Sequence, residues 1–178
     1  ARVGEAYLST GNIKQAAGAF STALGSDAGN VRARLGQARL TAIDGKVDEA
    51  TAEIEKIASA NPGSRAALLL LSQATLAKGD KAGAAAALKR AVEASPATPM
   101  PRLQLISLLI SDSQLDAAMT EIDAARKARA PELPLKHFEA QIAFHFGGMG
   151  RYAQFGGMAG GVWLHITQLA EFVDQGGA

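Results

Sequence analysis

Gly4-Glu5-Ala6-Tyr7-Leu8-Ser9-Thr10-Gly11-Asn12-Ile13-Lys14-Gln15-Ala16-Ala17-Gly18-Ala19-Phe20-Ser21-Thr22-Ala23 reads as two helical runs joined at a glycine, and its spacing recurs along the chain. Ala16 returns as Ala50, Ala84 and Ala118, each 34 residues after the last. Four residues beyond each alanine stands a bulky apolar residue, Phe20, Ile54, Leu88 and Ile122, and seven beyond stand Ala23, Ile57, Ala91 and Ala125. Five before each lies a turn residue: Gly11, Gly45, Gly79 and then Ser113. Self-similarity at a fixed period of this length marks a chain of repeated helix–turn–helix units. The recurring alanine lets the second helix approach the first closely where their axes cross. Breakers at Asn61-Pro62, Ser95-Pro96 and Ala130-Pro131 close the later copies, with Ala28 the unmarked first case.

These residues resemble the tetratricopeptide repeat. That signature places a small residue and an aromatic in a first helix, a turn glycine, an alanine and an aromatic in a second, and then proline. Gly4, Tyr7, Gly11, Ala16, Phe20 and Ala23 reproduce most of it in the first copy. Later copies depart from it: Gly4 becomes Ala38, Ser72 and Ile106, and Tyr7 becomes Thr41, Thr75 and Leu109. The resemblance implies an all-α fold, a right-handed α-solenoid of antiparallel helix pairs, with four recognisable repeats and a partial fifth over residues 1–146. First helices then line the concave side and second helices the convex side.

The 178 residues are 48% hydrophobic, 20% charged and only 5% aromatic, a composition suited to a helical globular chain built with few large side chains. A formal net charge of +1 offers no basic stripe for nucleic acid. Arg126, Lys127 and Arg129 do cluster, in the last turn of a predicted helix, where cations complement the macrodipole. With no cysteine there is no disulfide or thiolate chemistry, and both the cytoplasm and the periplasm remain compatible. No stretch reaches the roughly 18 to 20 apolar residues that cross a bilayer as a helix. The chain opens at Ala1 inside a first helix, so a fragment or processed form is expected, with any export signal or lipid-anchor cysteine outside it.

The punctuation predicts helices over about 1–10, 12–25, 30–43, 47–60, 64–78, 81–94, 99–111, 115–129 and 133–146. Asp27, Asn61 and Ser95 suit turn or cap roles, and Pro99 and Pro101 fall in a first helical turn, where a missing N–H matters little. The register ends at Gly147. Residues 147–161 form a glycine-rich, irregular segment, and residues 162–178 a short amphipathic helix and tail, with Val162, Ile166, Leu169 and Val173 on one face. That helix is expected to cap the last repeat. Self-association, partner docking and a tail of different origin are alternatives, whereas an anionic bilayer is disfavoured because its polar side carries no Lys or Arg.

Nothing in the sequence forms an active site. His137 and His145 are eight residues apart on one helix, too far for paired metal ligands, and no carboxylate or thiolate set accompanies them. The glycine run lacks a phosphate-binding pattern and follows no strand, and no nucleophile elbow is present. No catalytic residue, metal or cofactor is assigned. Asp48, Glu49, Glu53, Asp116, Glu121 and Asp123 fall on second-helix faces that the repeat turns outward.

Recognition is therefore expected on the first helices. By register the groove positions are Glu5 and Leu8; Arg32, Leu35, Arg39 and Ile43; Leu69, Gln73 and Leu76; Leu103, Ser107 and Ile110; and His137, Gln141 and Phe144. Aliphatic rungs with a few polar heads suit a peptide or partner helix, with Arg32 and Arg39 available to a carboxylate or phosphate. The leucines also fit a purely structural role between repeats. The carboxylate clamp of some tetratricopeptide repeats needs groove asparagine, and Glu5 and Gln73 stand in the matching rows, so that function is not carried over. The expected function is a non-catalytic scaffold for a protein or peptide within a bacterial multiprotein assembly. The alternative is a periplasmic or lipid-anchored component of exopolysaccharide export or secretion, since the alanine- and leucine-rich texture is similar to repeat proteins of the bacterial envelope.

Overall fold

The computed structural model describes residues 1–147, and among these there are nine α-helices and no strand. They are α1 (Arg2–Ser9), α2 (Ile13–Ser26), α3 (Val31–Ile43), α4 (Val47–Ala60), α5 (Arg65–Ala77), α6 (Lys81–Ala94), α7 (Pro99–Ser111), α8 (Leu115–Lys127) and α9 (Glu132–Gly147). The all-α helix-pair architecture is the one the period implies. Helix ends lie within two residues of the predicted ones. The expectations for residues 148–161 and 162–178 fall outside the described residues.

The helices form two compact units, Ala1–Ser95 and the part that begins at Pro96. In the first, α1 to α5 each pack on the next helix in the chain, and α1 also touches α3. In the second, α7 packs on α8, and α9 lies against both. The pairing follows from the turns. Gly11, Gly45 and Gly79 take φ of 76°, 85° and 80°, the left-handed region that a glycine enters without steric cost. The N–H of the following residue then bonds back to the carbonyl five positions earlier: Asn12 to Tyr7 at 2.8 Å, Lys46 to Thr41 at 3.1 Å and Asp80 to Thr75 at 3.0 Å. These are Schellman closures, which satisfy a helix's last carbonyls while reversing the chain.

Ser113 makes the same turn, with φ of 57° and a Gln114-to-Leu109 bond of 2.9 Å. A β-carbon in this region is strained by about 1–2 kcal/mol. Ser113→Gly is therefore expected to stabilise the second unit by roughly 1 kcal/mol, read as a higher urea midpoint with an unchanged slope. Arg129, φ 59°, ends α8 in the same way, with Ala130 bonded to Ala125 at 3.0 Å.

Helix starts are set by side chains that the repeat pattern does not mark. Asn30 accepts from the Ala33 N–H, Ser64 from Ala67 and Asp80 from Gly83, each a cap on otherwise unpaired donors. Asp27, Asn61 and Ser95 instead follow α2, α4 and α6 as C-caps. Pro99 and Pro101 sit at the start of α7 as expected.

The interior follows the period. Ala16, Ala50, Ala84 and Ala118 are at most 1% exposed, as helix crossings require. Phe20 fills the first crossing: a β-carbon added at Gly4 would stand 2.6 Å from its ring, and one at Gly36 would be closer still. The ring thus occupies the space that two missing side chains leave on α1 and α3. Where Gly4 becomes Ala38 and Ser72, the second helix carries the smaller Ile54 and Leu88, so bulk is exchanged between partners within each pair.

Candidate partner-binding surface

In the first unit the sequence-assigned positions divide by accessibility. Arg32, Arg39, Ile43, Gln73 and Leu76 are exposed on α3 and α5, and Leu69 is half-buried. Leu35 is buried in the core cluster with Ile54, Ile57, Leu68 and Leu71, so it packs the repeats together. Arg32 is not a free cation: its guanidinium lies 3.5 Å from Glu5, which joins α1 to α3. Arg39 makes no ion pair with any described residue, and it shares its face with Ile43, 55% exposed, while Leu76 on α5 is 45% exposed. A guanidinium beside uncovered aliphatic side chains can pair a carboxylate and anchor apolar groups together.

In the second unit, Ser107, His137, Gln141 and Phe144 are exposed, Leu103 is half-buried, and Ile110 is buried. His137 and Gln141, one turn apart on α9, share a hydrogen bond of 3.0 Å. Leu133, His137, Gln141 and Phe144 fall on one side of α9 by spacing, and Leu133 and Phe144 are 81% and 74% exposed. Leu133 has no counterpart in the repeat pattern, so spacing does not single it out. Among the described residues no group of three metal-ligating side chains occurs, and no helix is long and apolar enough to cross a membrane.

Four second-helix carboxylates, Asp48, Glu53, Glu55 and Glu121, are tied into cross-helix ion pairs. Arg34 meets Glu53, and two periods later Arg102 meets Glu121 at 2.7 Å. The intervening copy carries Leu68 and Ala87 at these positions, both buried. Lys78 reaches Asp48 at 2.7 Å and Arg90 reaches Glu55 at 3.2 Å. Arg126, which the sequence places for a helix-dipole role, extends from the last turn of α8 to α9. It donates to Glu139 at 2.7 Å and to Glu132 at 3.1 Å, and those bonds raise its pKa above the usual arginine value despite partial burial.

A series of alanine-locked helix pairs, closed by left-handed turn residues at a fixed interval, defines a helical-repeat architecture. The tetratricopeptide repeat family model matches residues 4–64 and 44–99, and the chain belongs to that family. Among solved structures it is similar to MamA, with a TM-score of 0.66 at 17% identity over 97% of this chain and 93% of that one. It is also similar to YrrB, described as a TPR protein with an unusual peptide-binding site, with a TM-score of 0.61 at 18% identity over 98% and 84%. TTC0263, a thermophilic TPR protein of Thermus thermophilus, gives 0.59 at 21% over 98% and 89%. At these identities the likeness is one of fold. No curated protein matches the sequence.

Proposed function

We infer that the chain is a non-catalytic scaffold that holds a protein or peptide against its first-helix faces, as part of a bacterial multiprotein assembly. The observation that carries this reading is the α3–α5 face, where Arg39 has no ion pair with a described residue and Ile43 and Leu76 stay open to water. Many other cations of the first unit are paired, Arg32, Arg34 and Arg90 among them. The surface suits an extended segment that carries aliphatic anchors and one carboxylate. A direct glycan contact, as an export component would make, calls for groove aromatics, and Phe144 is the one aromatic among the assigned groove positions.

The test is a panel of short peptides combining aliphatic residues with one Asp or Glu, titrated calorimetrically against the whole chain. Peptides that bind are expected to lose at least tenfold in affinity with Arg39→Glu and severalfold with Gln73→Ala. Lys56→Glu, on the second helix α4, should leave them unchanged. Equal binding of the panel by wild type, Arg39→Glu and Gln73→Ala overturns the assignment.

A further inference from the structure

α9 stands where the repeat calls for a first helix, and it is the last described element, so no described second helix pairs with it. The four preceding copies show what that partner covers. The counterparts of Ala140 at successive periods are Gly4, Ala38, Ser72 and Ile106, all buried, whereas Ala140 is partly exposed. Phe144 is 74% exposed, and its counterpart one period earlier, Ile110, is 8% exposed. Leu133, at 81%, extends the uncovered face toward the start of the helix. α9 thus leaves open the crossing surface, centred on Ala140, that the other first helices bury, and the end of a repeat array needs such a surface covered to stay soluble.

In register, the partner helix falls on residues 149–161, outside the described residues and 34 positions after α8. That stretch holds five glycines, with Tyr152 at the alanine position and Gly156 at the bulky one, so its helix propensity and its bulk are both wrong for the place. The next apolar run has the right spacing. Ile166 and Leu169 follow Val162 by four and seven residues, as Ile122 and Ala125 follow Ala118, and Val173 comes one turn later.

We propose that residues 162–174 of this chain occupy the uncovered face of α9 as its second helix, antiparallel to it, with Ile166 in the role of Ile122 but 44 residues later instead of 34. In the first pair Phe20 lies on Gly4, and Ala1, Leu8 and Ala23 pack against the same cluster. The matching set here is Ala140 with Ile166, Phe144 with Val162, and His137 with Leu169. Alanine opposite isoleucine is also the combination of the second copy, Ala38 with Ile54. Three residues join first to second helix in the earlier copies, and residues 148–161 do so here. Closure entropy grows only with the logarithm of loop length, so the longer connection is tolerated. Charge agrees: residues 162–174 carry Glu171 and Asp174 and no Lys or Arg, and antiparallel docking brings Glu171 toward the exposed Lys136. The contact is independent of the α3–α5 face.

The chain has no cysteine, so introduced pairs report this contact in the whole protein. In a glutathione redox buffer, Ala140→Cys with Ile166→Cys is expected to close a disulfide within one chain at an effective concentration roughly tenfold or more above that of Ala140→Cys with Gln168→Cys, whose second cysteine faces away on the same helix. Trp163, the one tryptophan, is expected to emit at shorter wavelength in wild type than in Phe144→Asp or Ile166→Asp. Phe144 is exposed, so the first of these leaves the packing of α7, α8 and α9 intact. Equal closure by the two cysteine pairs overturns the proposal, as do disulfides that form between chains and vanish on dilution, which place a second copy on the face, or Trp163 emission that neither aspartate moves.

Discussion

Gly36→Ala is expected to destabilise the first unit by about 1–3 kcal/mol, although alanine is the better helix former. The added methyl would enter the Phe20 ring, and Gly4 on α1 also lies against that ring, which leaves it little room to move. Phe20 is 0% exposed and sits in a cluster with Ala16, Ala33 and Leu40, so the strain has no route to solvent. Phe20→Ala removes the ring altogether and should cost about 3–5 kcal/mol, since two glycines beside the cavity offer nothing to refill it. The two sites are coupled. Gly36→Ala combined with Phe20→Leu should recover part of the loss of either single change, and strict additivity in urea unfolding would show that ring and glycine do not share one space.

Arg126→Ala should cost the second unit about 2–4 kcal/mol, well beyond the value of an ordinary surface ion pair. Arg126 is partly exposed, but its partner is not: the Glu139 side chain is 7% exposed, and its Oε2 has no hydrogen-bond partner. Without the guanidinium, a carboxylate with no other counter-ion within reach is left inside the helix packing. The same register position is Leu71 and Leu105 in the third and fourth copies, both buried. Glu139→Leu is therefore expected to be neutral or stabilising, and Arg126→Met with Glu139→Leu to be at least as stable as wild type. Thermal melts of the three variants check this. If Arg126→Ala and Glu139→Leu lose equal stability, the bonded pair, and not the desolvated acid, is what matters there.

Much of the fold was legible because it is local. Gly11, Gly45, Gly79 and Ser113 needed only their spacing to be placed at turns, since a chain reversal demands one particular backbone conformation from one residue. The buried alanines followed from the same count. The candidate surface was less legible. Arg32 and Arg39 look alike in a row of letters, yet Glu5 reaches the first and nothing described pairs with the second. Leu35 and Ile110 have groove spacing but lie in the interior, because a helical face is broad and spacing alone does not fix how much of it a neighbour covers.

By itself, the sequence determined that this protein is a stack of helix pairs, where each pair turns, and which small residues sit at the crossings, because each depends on contacts between residues a few positions or one period apart. Only the tertiary structure decided that Phe20 packs against both Gly4 and Gly36, that Arg126 neutralises a buried Glu139, and that Gln37 lines a cleft where the third copy buries Leu71. Those outcomes depend on distances between side chains on different helices, and a repeat pattern records the positions of residues but not the space left between them.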